Sequence, residues 1–335
     1  MAKRSLLAPL LGRQGRRVAL SAAGSKLPGM EAEASGADRS FSLLSLGSPT
    51  QPQVIAVCSA LGSVGKSTLA AGLAEAIAES PGKRGARGTA MRATCLLDLD
   101  TFSPSQAVMH ARTEITAGVL GSARLIRQER YSDGEHERLV ARAGAYDLLT
   151  GIASLDRWPE LDEYSVGLLL HDQVGRYDQL VLDLGGNPTA TEVDPELGLR
   201  RNQATVKALT AADVAIVVTA ADPVSLSRTL NLLASLQNLV AGRLMVAVNR
   251  WRTTAIGGGA QSQVLDLLAK AGIAVDQVLF VPEDAGNCDS ALSRGVSVVH
   301  AKPRGPIARA MRDLVTQINS SHVHSSRAGQ AERQG

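Results

Sequence analysis

At 335 residues the chain has the length of about two average domains, or of one large α/β domain with extensions. Its 35 basic and 32 acidic residues leave a formal charge of +3 with charged residues at 20%, which excludes a strongly basic nucleic-acid coat as the dominant feature. A hydrophobic content of 44% excludes global disorder, and aromatics at 3% leave Ala, Val and Leu to fill the core, which suits a parallel sheet better than an aromatic-rich sandwich.

Residues 1–52 mix Arg, Gly, Ser, Ala and Pro without sustained periodicity and read as a flexible basic leader, closed by Pro49 and Pro52. The first residues imitate a signal peptide, but the apolar stretch is short, contains Pro9 and runs into Arg13, Arg16 and Arg17, so export is not expected. Residues 6–20 are either a solvated leader or a short amphipathic helix for a partner or an anionic membrane surface. No run approaches the ~18 apolar residues of a membrane-spanning helix. The cysteines Cys58, Cys95 and Cys288 are scattered and form no disulfide framework, so a reducing, cytoplasmic setting is expected, with peripheral contact at the inner face of the membrane as an addition through the leader.

From Gln53 onward, short apolar runs alternate with helical stripes, the pattern of β-α units on a mostly parallel sheet. Buried strands are predicted at 54–57, 94–97, 146–149, 180–183, 214–218, 244–248 and 278–281. Helices are predicted where Leu69, Leu73 and Ile77 recur at spacing four, where Val166, Leu169, Leu170 and Val174 share a face, and where Leu226, Leu230, Leu233 and Leu236 do. The glycine-rich insert 81–92, with Lys83, Arg84, Arg87 and Arg92, reads as a loop, either solvated or facing an acidic partner. At 306–318, Ile307, Met311, Leu314, Val315 and Ile318 lie on one face and predict a terminal helix docked on the core. The organisation expected is a leader (1–52), one α/β domain (53–319) and a polar tail (320–335).

The segment Ser59-Ala-Leu-Gly-Ser-Val-Gly-Lys-Ser-Thr68 carries the most chemistry, because it stands between the first strand and the first helix. A glycine-containing turn there lets backbone N–H groups converge on a polyanion, and the helix N-terminus adds its positive end. Gly62 and Gly65 give the close approach, with Ser63, Val64 and Thr68 completing the cradle. Lys66 can reach β- and γ-phosphates, and the Ser67 hydroxyl can enter a Mg²⁺ shell. The usual first glycine is Ala60 here; the strand, loop and helix around it stand in the required order.

Two acidic sites follow apolar strands. Asp98 and Asp100 alternate at the carboxyl end of the second strand, where open α/β sheets gather ligands, and can face a Mg²⁺-phosphate and its attacking water; either alone could instead cap the segment after Ser103. Asp183-Leu-Gly-Gly186 closes another strand, where the acid can hold Mg²⁺ through water and Gly186 can offer its N–H to a γ-phosphate.

On these residues the chain resembles the deviant-Walker P-loop ATPases that include MinD, ParA and the pilus-assembly CpaE/TadZ proteins, over about residues 53–318. The resemblance implies a three-layer P-loop fold with a central, mostly parallel sheet. Val248-Asn249-Arg250 matches the strand end where that family places an adenine-recognising Asn, and Val281-Pro282-Glu283-Asp284 resembles the segment lining its base pocket. No Asn-Lys pair exists to suggest guanine, so ATP with Mg²⁺ is the expected ligand. The resemblance further implies a nucleotide-dependent homodimer with slow hydrolysis, in which Lys66 neutralises phosphate charge, Ser67 coordinates Mg²⁺, Asp100 orients water, and Asp98 and Asp183 support the metal shell. Members with the full motif carry a lysine two residues after the position of Ser59; here that place is Leu61, which cannot neutralise phosphate and puts trans-activated hydrolysis in question. Relaxed loops of this kind, together with Leu148-Leu-Thr-Gly151 and Asp156-Arg-Trp-Pro159, resemble CpaE/TadZ-like members and imply pilus, secretion or cell-pole partners. The rivals are an ATP-binding scaffold without turnover and a chromosome-partitioning or septum-site ATPase, the DNA-binding form being disfavoured by the modest charge. His322 and His324 in the tail read as solvated rather than metal ligands, and Trp158 and Trp251 as packing rather than partner anchors.

Overall fold

The structure is a computed structural model and describes residues 54–60, 62–80, 93–112, 118–185, 188, 193–194, 196–252 and 259–320. Leu61, Gly186, the leader, the basic insert 81–92 and the two tail histidines lie outside the described residues.

The strands are β1 (Val54–Cys58), β2 (Thr94–Leu99), β3 (Ala141–Ala143), β4 (Tyr146–Leu149), β5 (Gln179–Leu184), β6 (Val214–Ala220), β7 (Arg243–Trp251) and β8 (Val278–Pro282). They form one sheet in the order β3-β4-β2-β5-β1-β6-β7-β8. Every pairing is parallel except the β3-β4 hairpin at the edge. Parallel neighbours require crossovers, and the helices that make them cover both faces. In order these are α1 (Lys66–Ala78), α2 (Gln106–Met109), α3 (Gly118–Arg127), α4 (Asp133–Leu139), α5 (Glu163–Arg176), α6 (Gln203–Thr210), α7 (Pro223–Leu236), α8 (Ala260–Lys270), α9 (Ala285–Arg294), α10 (Val298–Ala301) and α11 (Pro306–Ser320).

The alternation of strand side chains splits the core in two. Val54, Ala56 and Cys58 of β1 face a cluster built with α3, α5, α6, α7 and α8, whereas Ile55 and Val57 face one built with α1 and α11. The aliphatic composition matters most at α1, which is buried continuously from Leu69 to Ala78 between the sheet and α11. Alanines and Gly72 allow that approach: a Cβ on Gly72 would already stand 3.1 Å from Val298. The terminal helix α11 docks as expected, burying Ile307, Met311, Leu314, Val315 and Ile318, and Arg243 donates to its last carbonyls at Gln317 and Ile318.

All seven predicted strands form, several of them longer than their apolar runs. β2 continues to Leu99, which places Asp98 inside the strand, and β7 continues through Asn249 and Arg250 to Trp251. Strand β3 and helices α3, α4, α6, α8 and α10 were not predicted; β3 has three residues, too few for a period to be read. Trp158 is buried, and the Trp251 ring meets Phe280 at 4.5 Å between centroids, so both serve packing. All three cysteines are free.

A buried acid interrupts the apolar packing of α1. Glu75 of α1, 2% exposed, accepts from the Ala145 amide in the β3-β4 turn at 3.2 Å and from Ser297 Oγ at 3.4 Å, and lies 3.4 Å from His300 Nδ1. Burial raises its carboxyl above the ordinary 4.5, against the lowering effect of the Ala145 amide and His300. The folded protein therefore holds this proton where the unfolded chain has released it, so the Glu75 contribution to stability falls as pH rises from 4.5 through the raised value. Urea unfolding of Glu75→Gln, which retains an acceptor for the amide, is expected to lose less stability than the native protein as pH rises above 4.5. Parallel pH curves for the two proteins would contradict the assignment.

Candidate phosphate-binding site at the end of β1

The site is built where β1 stops and α1 begins. Between them Ser63 adopts φ 64° and Gly65 φ 89°, so the chain enters the left-handed region twice before helical hydrogen bonding starts with the Leu69 amide on the Gly65 carbonyl at 3.0 Å. Gly65 is glycine for two reasons: its backbone is left-handed, and a Cβ there would collide with the Asn249 side-chain amide. A Cβ on Gly62 would meet open space. Val64 turns inward and is buried, Gly62 and Ser63 are exposed, and Ser67 and Thr68 are half-buried in the first turn of α1. Nothing in that turn is acidic, so the positive end of the helix is left uncompensated by its own side chains.

Two residues of β7 clamp the loop from across β6. Asn249 Nδ2 donates to the Val64 carbonyl at 2.8 Å, and Arg250 Nη2 donates to the Ser63 carbonyl at 2.8 Å. With loop carbonyls drawn toward β7, the loop's amides are the groups left to converge on a ligand. Pro282, Glu283 and Asp284 lie at the end of β8, one strand further out. The Glu283 amide donates to the Trp251 carbonyl, its carboxylate pairs with Arg252 at 3.2 Å, and Asp284 accepts from the Asn287 amide at 3.3 Å and from Lys302 Nζ at 3.1 Å.

On the other side of the loop stand the acids. Lys66 Nζ donates to Asp183 Oδ1 at 2.7 Å and to Asp100 Oδ2 at 3.2 Å, with Lys66 10% exposed, Asp183 0% and Asp100 4%. Register explains the meeting: Asp98 and Asp183 are partners across β2 and β5, Val57 and Asp183 across β1 and β5, so three carboxyl ends converge on one point. Burial works against the Lys66 charge, but Asp183 and Asp100 outweigh it and hold the ammonium protonated well above its ordinary value. Burial likewise opposes the Asp100 charge; Lys66 and the amides of Ser103 and Phe102 prevail, and its carboxyl is lowered. For Asp98 the balance reverses: burial, then the nearby Asp183 charge, push it up to about 7.

The acids also shape the chain after β2. Asp100 Oδ1 accepts from the amides of Phe102 and Ser103 at 2.9 and 2.8 Å. Asp98 Oδ1 accepts from the Asp100 amide at 3.2 Å, and its Oδ2 from the amides of Ser105 and Gln106, both at 3.0 Å. Asp98 thus acts as a cap on α2, with both oxygens engaged by backbone donors. Glycines make room for this: a Cβ on Gly185 would strike the Asp100 carboxylate, and one on Gly151 would come within 2.9 Å of Asp98 Cγ. Next to Asp98 a groove of about 380 Å³ opens, lined also by Phe102, Pro104, Val108, Ile152 and Leu155.

One participant was missed in the sequence. Gln106, fully buried on α2, donates from Nε2 to Asp183 Oδ2 at 2.7 Å and to the Ser67 carbonyl at 3.0 Å. The signal available was only an acid capable of capping eight residues before it.

The fold is that of the ParA and MinD ATPases. A ParA family ATPase from Chlorobium tepidum is 20% identical with a TM-score of 0.60, covering 79% of this chain and 98% of that one. The septum site-determining protein MinD from Pyrococcus horikoshii, complexed with Mg-ADP, is 19% identical with a TM-score of 0.56, covering 78% and 93%. A plasmid partition protein of Borrelia burgdorferi bound to AMPPNP is 14% identical with a TM-score of 0.56, covering 81% and 100%. The ParA/MinD fold therefore spans nearly the whole of these neighbours, and the three-layer P-loop architecture read from the sequence is present. No family model matches the sequence, and no curated protein does.

The double requirement at Gly65 is measurable without any ligand. Gly65→Ala must hold a Cβ in the left-handed region, at about 1–2 kcal/mol, and displace Asn249 from a buried hydrogen bond. Urea unfolding is expected to show at least that loss, and a change below about 0.5 kcal/mol would contradict the loop conformation described.

Proposed function

We propose that this protein is a Mg²⁺-ATP-dependent switch that binds the triphosphate at the β1-α1 turn, dimerises in its ATP state and hydrolyses slowly. The observation that carries the reading is the Lys66 ammonium, held by two buried carboxylates at the N-terminus of a helix behind a glycine loop. Triphosphate oxygens are stronger claimants for that ammonium, because they bring more charge and also engage the loop amides.

The donor set fits Mg²⁺. Among the described residues no group of three or more His, Cys, Asp or Glu side chains could by itself hold a metal ion. Mg²⁺ is ordinarily bound through one or two carboxylates together with substrate phosphates, rather than in an all-protein cage. Asp183 and the Ser67 hydroxyl would hold it, with Asp98 fixing the segment behind them, and the ion when bound would offset charge between the phosphates. Asp100, the lowered carboxyl, would orient the attacking water once Lys66 has moved to phosphate. Asn249, Arg250 and the Pro282–Asp284 segment would flank the base, and Gly62 to Thr68 with Gly186 would cradle the phosphates.

Within this class we favour a CpaE/TadZ-like role, positioning a pilus or secretion apparatus from the cytoplasmic face of a membrane, with cell-pole proteins as partners. Leu61 in place of a lysine and the 148–151 and 156–159 segments support it. Leu61 equally favours a second reading, an ATP-binding scaffold with no turnover. Phosphate release under single-turnover conditions, with and without candidate partner proteins, separates the two. Lys66→Ala is expected to reduce ATP affinity and release to background, and Asp100→Asn to keep binding while slowing release by about 10²-fold or more. Undiminished release from Lys66→Ala would refute the site.

A further inference from the structure

Asp183 has both oxygens occupied, by donors of different kinds. Oδ1 takes the mobile ammonium of Lys66 at 2.7 Å; Oδ2 takes the amide of Gln106 at 2.7 Å. The orientation of that amide is dictated by chemistry, since turning it over would set Gln106 Oε1 against a carboxylate and the Ser67 carbonyl, two acceptors. Gln106 itself is immobilised: it is fully buried, and its backbone amide is capped by Asp98 Oδ2 at 3.0 Å. Its own Oε1 is buried without a hydrogen-bond partner, an acceptor left over next to site groups whose hydrated ion would bring only donors.

We propose that Gln106 is a positioning residue that makes Asp183 a single-oxygen partner for Mg²⁺, a reading that rests on the Mg²⁺-ATP function proposed above. When nucleotide draws Lys66 to phosphate, Oδ1 alone is released, because the neutral amide on Oδ2 has no reason to follow the phosphates. The carboxylate is thereby kept from rotating or from chelating with both oxygens, and the same Nε2 braces the backbone carbonyl of Ser67, the residue whose hydroxyl would meet the ion. Outer-sphere partners of this kind typically change metal affinity by about 10–100-fold when removed.

The test is calorimetric titration of ATP into the full chain, once with Mg²⁺ and once with EDTA. Gln106→Met, of similar volume and without donors, is expected to reduce the Mg²⁺-dependent gain in ATP affinity by about tenfold, while affinity in EDTA stays within about twofold. In an Asp183→Asn background the same substitution is expected to cost nothing further, which a merely structural role would not produce. Should Gln106→Met fail to fold, Gln106→Asn, too short to span both acceptors, is measured in its place with the same expectation. An unchanged Mg²⁺ gain, or an equal loss with and without the ion, would overturn the proposal while leaving the ATP site intact. No binding by the native protein in either condition would overturn the nucleotide reading and this inference together.

Discussion

The structure turns on a buried ammonium. Lys66 sits at the one place where the carboxyl ends of β1, β2 and β5 bring acids together, and it is the cation that makes Asp100 and Asp183 tolerable in the interior. Removing one partner of such a buried pair typically costs about 3–5 kcal/mol, because the remaining charge is left in a poorly solvated place. The site is therefore held together by its own charges. Asp98, fully buried and beside the Asp183 charge, is instead the carboxyl whose proton is retained to about 7.

That arrangement requires a rigid frame, and small aliphatic side chains supply it. The continuous burial of α1 against the sheet and α11 fixes the axis along which Lys66 projects, and the bonds from Asn249 and Arg250 fix the loop before it. The acids are set from the other side through α2 and the glycines at 151 and 185, whose missing side chains let backbone approach carboxylate. Helix, loop and acids are thus positioned by three separate parts of the chain, and the geometry at the centre depends on all three.

The frame was largely legible in the sequence. Parallel strands buried on both faces are continuous apolar runs, and the Gly-Lys-Ser turn between the first run and the first helical stripe has few physical meanings. What could not be read was anything depending on contacts without a period. Gln106 belongs to a four-residue helix, and its partners Ser67 and Asp183 are 39 and 77 positions away. The Asn249 clamp spans 185 positions, so the resemblance drew attention to an Asn at that strand end but not to its amide gripping the loop itself. For Asp98 both the metal and the capping alternatives were open, and in the fold its oxygens are taken by backbone amides. Gly185 was passed over for Gly186 because the motif draws attention to the second glycine, whereas the carboxylate of Asp100 crowds the first.

The central claim, that Lys66 gives up its carboxylates for a triphosphate, is tested most directly by titrating ATP with Mg²⁺ into the native protein and into Lys66→Ala in a calorimeter. The account predicts saturable one-to-one binding by the native protein and none by the variant. Absence of heat from the native protein at millimolar nucleotide, or equal binding by both, would contradict it.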